Sequence, residues 1–196
     1  MFFVLIFMFL LTAFANFGRI NVETLLQLNS PFCWDSVRIG WFGAIRNLAW
    51  SFGGMIMIKL FHICTTDEFV ALFGCMTTII SLTIEGFANS DLMLYLSAIT
   101  SIGSIATMPM SRAIMSRMTP AHKQGSVFAC IAAVEVICSM AATICANAVY
   151  DATVGIDRGI TFFVMASYGV LGAILNIFLI FGQRKGDEHE KLLPTN

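Results

Sequence analysis

Charge is scarce in this chain. Of its 196 residues, 12% are Asp, Glu, Lys or Arg, against about 25% in a soluble domain. Apolar residues make up 58%, and the mean hydropathy is +0.82. So little charge cannot cover a globule of this size, so lipid must be the solvent for most of the protein. The net charge of −1 leaves no basic face for nucleic acid. Histidine is also scarce. His62, His122 and His189 fall in connections or in the tail. No nucleophile–base pair shares an apolar face, so an enzyme with catalytic residues is not expected. The six cysteines form no C-x-x-C pair, and most have no histidine nearby, so neither a metal site nor a cofactor is expected. Cys130, Cys138 and Cys145 recur at near-heptad spacing in one apolar run, as small residues at helix contacts do. Cys33 differs, because it sits in a polar connection. Strict alternation of apolar and polar residues is missing too, which excludes a closed barrel.

What the chain has is six apolar runs. They predict an all-α membrane protein with helices at about 2–28, 39–61, 69–88, 92–116, 126–150 and 160–182, forming one transmembrane unit over 1–182. Each later run approaches the ~20 residues that cross a bilayer as helix. Residues 183–196 form a polar tail. The first run has two readings. Ala13-Phe14-Ala15 resembles a signal-peptidase site, although no basic segment precedes it. Alternatively the helix continues to Leu28, and Asn16, Arg19, Glu23 and Gln27 then lie on one face. A polar stripe of that kind faces protein or water, not lipid. Asn29-Ser30-Pro31 ends the helix.

Basic residues set the expected orientation. Lys59, Arg112, Arg117, Lys123, Arg184, Lys185 and Lys191 fall at one side, and Arg19, Arg38 and Arg158 at the other. The richer side is expected to be cytoplasmic, with both termini inside. The tail carries Glu188, Leu192 and Leu193 in a spacing similar to an acidic dileucine sorting signal; the other reading is an idle solvated tail.

Two ionisable residues lie deep in apolar runs, Arg46 and Glu135. Facing lipid, each would cost ~2.5–3.5 kcal/mol or more, so each should face the interior or a cavity. Counted from the helix ends, their heights differ by only about 5 Å at 1.5 Å per residue. A mutual ion pair is one expectation, and a substrate or proton site is the other. Glu85 and Asp91 bracket a short outer loop and are expected to be solvated. Asn147 and Asn176 are expected at helix contacts.

The window "MPMSRAIMSRMTPAHKQGS" (108–126) gathers Arg112, Arg117, His122 and Lys123. The last three sit at or beyond a helix end, where cations suit the helix dipole. Arg112 lies more than a turn inside, three residues after Pro109. A proline there frees a carbonyl near Ala106 and is expected to kink the helix, turning Arg112 toward a central cavity. Snorkelling to headgroups is the plainer alternative.

"LLQLNSPFCWDSVRIGW" and "TMPMSRAIMSRMTPAHKQGSVFA" resemble the C-terminal half of the proton-coupled folate transporter family, solute carrier family 46, within the major facilitator superfamily. Cys33 to Ser36 carries the likeness, as do Pro109, Arg112, Ser116, Gln124, Gly125 and Phe128. The resemblance implies six helices forming one half of a twelve-helix fold. It implies that Arg112 handles substrate and protons, and that Cys33 is a disulfide partner of a missing N-terminal half. A histidine tied to proton coupling in that family is Asn16 here, and Arg46 and Glu135 replace neutral polar residues.

The function expected from this resemblance is the C-terminal half of a secondary-active transporter for a small, anionic organic solute, working by alternating access. Arg112, Arg46, Glu135, Asn16 and Glu23 are the site candidates. The expected partners are membrane lipid, the solute, and either a missing six-helix half or a second copy. The alternative is a truncated, non-transporting membrane or interaction protein. The plasma membrane or the endosome and lysosome is the expected location.

Overall fold

The structure, a computed structural model, describes residues 2–191, with side chains at 4–61 and 65–182. Leu192 and Leu193 lie outside the described residues, and Glu188 is described in its backbone alone. The sorting signal therefore falls outside the structural account, as do the side chains of His62, His189, Arg184, Lys185 and Lys191.

Among the described residues every regular element is helical. The α-helices are α1 (Phe2–Leu28), α2 (Ser36–Leu48), α3 (Gly54–Cys64), α4 (Asp67–Gly86), α5 (Asp91–Thr100), α6 (Thr107–Arg117), α7 (Gln124–Thr153) and α8 (Ile160–Lys191). A π-helical turn, Ala49–Gly53, joins α2 to α3, and a 3-10 segment, Ser101–Ala106, joins α5 to α6. A further 3-10 turn, Ala121–Lys123, leads into α7. The chain is thus an all-α, multi-pass membrane bundle. Five segments are long and apolar enough to span: Val4–Leu28, Asp67–Gly86, Asp91–Arg117, Ala121–Thr153 and Ile160–Gly182. The stretch α2–α3 is interrupted by its π-turn, which breaks it into two shorter helices.

Helices α1, α4 and α8 form the centre, with α1 packed on both α7 and α8, and α4 packed on α8, α6 and the 3-10 segment. Two apolar clusters hold the ends. At one end Phe42 packs edge to face against both Trp34 and Tyr95, with the rings of Trp34 and Phe42 5.4 Å apart. That geometry favours aromatic pairs beyond their buried area. At the other end Leu5, Met8 and Phe9 of α1 meet Ile114 and Met115 of α6, Ile131 of α7 and Leu179 of α8. In lipid, backbone must be satisfied within the helices, so association depends on close packing rather than on exclusion from water. Gly159 shows how close it is. A Cβ there would lie 2.1 Å from the Gly86 carbonyl oxygen, so the turn before α8 rests directly on the end of α4.

Most of α7 is apolar and outward facing. Val136, Ile137, Met140 and Ile144 are exposed, a surface suited to lipid or to another transmembrane helix.

Pro109 follows a 3-10 segment, Ser101–Ala106, that runs directly into α6, with the Thr107 N–H bonded back to the Ser104 carbonyl. The irregularity expected near Ala106 is this 3-10 stretch, in the turns before the proline. It is matched across the bundle by the π-turn. Gly53 and Gly54 there admit Ile102 and Ile105, and a Cβ on Gly54 would come within 2.2 Å of Ile105 Cγ2. Trp50 of the π-turn donates its indole N–H to Ser101 Oγ at 2.8 Å. Two interrupted helices therefore cross at one level, just above α6 and Arg112.

Candidate functional site

Beside this crossing lies a groove of about 300 Å³ between α1, α6, α7 and the π-turn. Asn16 and Phe17 come from α1, Trp50 from the π-turn, Pro109 and Arg112 from α6, and Glu135 from α7. The Arg112 guanidinium donates through Nη2 to Glu135 Oε2. The side chains are 43% and 17% exposed. One nitrogen of Arg112, Nε, is buried with no hydrogen-bond partner. The pair is thus held by a single oriented bond, with guanidinium donors left over. Asn16 lies at the groove wall, and its amide is turned back to the Thr12 carbonyl at 2.9 Å.

Arg46 and Glu135 do not meet. Arg46 donates to Glu23 on α1, and Glu135 accepts from Arg112. Similar height was a poor guide because it ignores direction around the helix axis. Arg46 rises along the side of the bundle occupied by α1, where Glu23 offers a carboxylate on the helix alongside.

Glu23 belongs to a second polar centre that the sequence reading did not assemble. Arg19 pairs with Glu85 on α4 and lies 3.9 Å from Glu23 one turn along α1. Arg19, Glu23 and Glu85 are each 1% exposed, and Arg46 is also buried. Ser97 of α5 donates to Glu85 at 2.9 Å. Two arginines and two glutamates therefore balance to zero charge in the interior. Trp50 closes the centre as a cation–π face, with its ring 5.0 Å from the Arg46 guanidinium carbon and 6.0 Å from that of Arg19. The same indole lines the groove, so Trp50 stands between the buried centre and the open pair.

One expectation is corrected here. Glu85 is not solvated but sits at the heart of the buried centre. Its signal was present in the spacing Thr78, Ser81, Glu85, which puts three buried polar residues on one face of α4. Asp91 keeps a solvated side chain, 43% exposed, and is also held in place. It accepts from Trp34 Nε1 at 2.8 Å and from Arg38 Nη2 at 2.6 Å. The Asp91 hydrogen bond holds the Arg38 guanidinium above its ordinary value. Asn176 is buried, with its amide oxygen unpartnered.

At the opposite end Arg117 bridges to Asp67 at 2.7 Å and to Glu68 at 3.3 Å. The acidic first turn of α4 thus meets the basic last turn of α6, the arrangement both helix dipoles favour. Gln124 donates to the Ser116 and Thr119 carbonyls at 3.2 and 3.4 Å, tying the start of α7 to the end of α6. His122 and Lys123 are exposed. Cys33 is exposed and unbridged, with φ of 47°. Among the described residues no group of His, Cys, Asp and Glu could hold a metal ion.

The described residues thus form a multi-pass helical membrane bundle with an open groove at one ion pair and a buried, charge-balanced interior. The comparisons with known proteins lead the same way. The chain is 30% identical over 191 residues to the Lysosomal proton-coupled steroid conjugate and bile acid symporter SLC46A3 of Gallus gallus, covering 97% of this chain and 41% of that protein. It is 32% identical over 163 residues to the Homo sapiens protein of the same name, covering 82% of this chain and 35% of that one. To the Proton-coupled folate transporter of Rattus norvegicus it is 28% identical over 160 residues, 82% of this chain and 35% of the relative. No family model matches the chain. The similarity is at family level, to transporters of the SLC46 and major facilitator kind over most of the chain. The relatives are transporters and not enzymes, in keeping with a non-catalytic function. The chain spans about two fifths of the length of the curated relatives it matches.

Proposed function

We propose that this chain forms the C-terminal six-helix half of a secondary transporter that moves a small, anionic organic solute by alternating access. The observation that carries the reading is Arg112, a half-exposed guanidinium with spare donors in a groove otherwise apolar on most of its wall. Such a fork can take a carboxylate or sulfate by paired hydrogen bonds. The relatives named for steroid conjugates, bile acids and folate suggest a solute with a bulky apolar body and an acidic group, and Phe17, Ile20, Trp50 and Met108 supply apolar lining for such a body. The second six-helix half would close the groove, and Cys33 would bridge to it at the outer side. The relatives' names also favour a lysosomal membrane. In this reading α2, the π-turn and α3 count together as the second of six spans.

The test is reconstitution. Purified chain alone in liposomes should take up neither a labelled steroid sulfate nor a folate saturably. The same chain joined to a matching N-terminal half should take up one of them. Saturable uptake by the chain alone, or none by the joined protein, contradicts the reading.

A further inference from the structure

We propose that α2 is a hinged arm, pivoting on the π-turn that follows it and latched against α1 by the Arg46–Glu23 ion pair. The arm opens and closes the end of the bundle that carries loops 29–35 and 87–90, while α3 stays in place. The proposal stands apart from the role given to Arg112.

The two sides of the pivot are held differently. On one side the π-turn and α3 press on the 3-10 segment, and α3 also packs on α4. Trp50 donates to Ser101 Oγ, and Ile102 and Ile105 fill the space at Gly53 and Gly54. Phe61 of α3 stacks on Phe73 of α4 with ring centroids 4.8 Å apart. On the other side the main backbone approach of α2 is to the π-turn itself. Its buried residues are Phe42 and Arg46, four apart and so on one face. Val37, Trp41, Ile45 and Leu48 are exposed. Side chains, and not helix-on-helix packing, therefore fasten α2 to the bundle. Phe42 rests on Trp34 and Tyr95, Arg38 reaches Asp91 at the exposed end, and Arg46 reaches Glu23 inside. Segments with few buried contacts open first, and a π-turn within a helical stretch is a place where the axis bends.

Arg46 is the fastening that can let go. Of the four charged groups in the buried centre it stands at the rim, 9% exposed against 1% for each of the others. An outward swing carries it away from the interior rather than through it. Its release does not leave Glu23 bare. Arg19 Nε lies 3.9 Å from Glu23 Oε2, beyond hydrogen-bond length. Arg19 holds Glu85 through Nη2, and its Nε and Nη1 have no partner. A shift of about 1 Å lets its guanidinium span both glutamates. The closed state gives each carboxylate its own arginine and is the resting one; the open state shares one arginine between two. Trp50, in the pivot, also lines the groove, so the position of the arm and the shape of the groove change together.

The test is double electron–electron resonance on the full chain in lipid nanodiscs, with its native cysteines replaced. Spin labels at Val37→Cys and Leu171→Cys report on the arm, and labels at Met55→Cys and Leu171→Cys on the anchored side. All three positions are exposed. About 18 Å of helix separates Val37 from the pivot, so a swing of about 20° moves its label about 6 Å. The latched parent should give one narrow arm distance. Glu23→Gln with Arg46→Gln removes the latch and strands no charge. In that double variant the arm distance should gain a second population displaced by about 6 Å, on the same lever estimate, with the Met55 distance unchanged. An arm distribution like the parent's, or equal changes in both pairs, overturns the proposal. A double variant that does not fold overturns it too, because the pair would then serve the fold itself rather than the position of the arm.

Discussion

Arg46 of α2 donates its guanidinium hydrogen bond to Glu23 of α1, and Glu135 gives its carboxylate to Arg112. The two deep charges that composition singles out therefore belong to different centres, one buried and balanced by four groups, the other open to a groove.

That separation has an energetic signature. Glu23→Gln alone strands Arg46 and should destabilise the protein by roughly 3–5 kcal/mol, the range for breaking a buried pair. Adding Arg46→Gln should recover much of the loss. Arg46→Gln combined with Glu135→Gln should be additive to within about 0.5 kcal/mol, because the two share no partner. Thermal unfolding of the purified protein in detergent measures both cycles. A large coupling between Arg46 and Glu135 would contradict the pairing described.

The glycine at the turn before α8 makes a packing prediction. Gly159→Ala drives a methyl into the Gly86 carbonyl, 2.1 Å from the added atom, and overpacking of this kind costs about 1–3 kcal/mol. Gly125, early in α7, has nothing within 4 Å of an added Cβ. Gly125→Ala should be neutral or stabilise by up to about 1 kcal/mol through helix propensity. Equal effects of the two on thermal stability would show that α4 and α8 do not approach as described.

The pair Arg38–Asp91 should respond to salt and not to pH on the basic side. Its side chains are about half exposed, so Arg38→Gln should lower Tm only slightly, and less at high ionic strength. The bond to Asp91 raises the folded-state value of Arg38. A base raised on folding contributes below its unfolded value and loses that contribution only as pH passes the raised one, far above any working pH. Salt and pH titrations of Tm for Arg38→Gln against the parent check this. Loss of the difference between neutral and mildly basic pH would contradict it.

Loops 29–35, 87–90 and 154–159 lie at one end of the bundle, and 65–66 and 118–123 at the other. Arg19 is buried and Arg112 faces the groove, so neither counts as a loop charge. Lys59, Arg117 and Lys123 still mark one end, against Arg38 and Arg158 at the other. With the native exposed cysteines removed, Ile156→Cys should react with an impermeant thiol reagent from outside intact cells expressing the protein at the surface, and His122→Cys should not. The reverse would invert the orientation.

Much of the fold was legible because lipid leaves few choices. Without water to satisfy the backbone, a long apolar run must be a helix, and the polar stripe Arg19, Glu23 and Gln27 had to face inward. The interruption at Ala49–Gly53 was not legible, because no proline marks it and it lies where Gly53 and Gly54 admit Ile102 and Ile105. The one at Ser101–Ala106 was signalled only by Pro109 just beyond it. The site was legible in its members but not in its pairings. Arg112, Glu135, Arg46 and Glu23 stood out as charges in apolar sequence, yet depth along a helix says nothing of azimuth. Trp50 carried no signal beyond being aromatic, since its role comes from standing between two centres that only the packing brings together.

The central claim is that Arg112 holds the solute. Its most direct test compares Arg112→Lys with Arg117→Lys in the chain joined to an N-terminal half, reading surface level and uptake of a labelled steroid sulfate or folate. Lysine keeps the charge but not the fork. The account predicts that Arg112→Lys loses uptake by tenfold or more, about 1.4 kcal/mol, at unchanged surface level, while Arg117→Lys, whose partners are Asp67 and Glu68 at the far end, leaves uptake intact. Normal uptake by Arg112→Lys would contradict it and reduce the whole cluster to an anchor of topology.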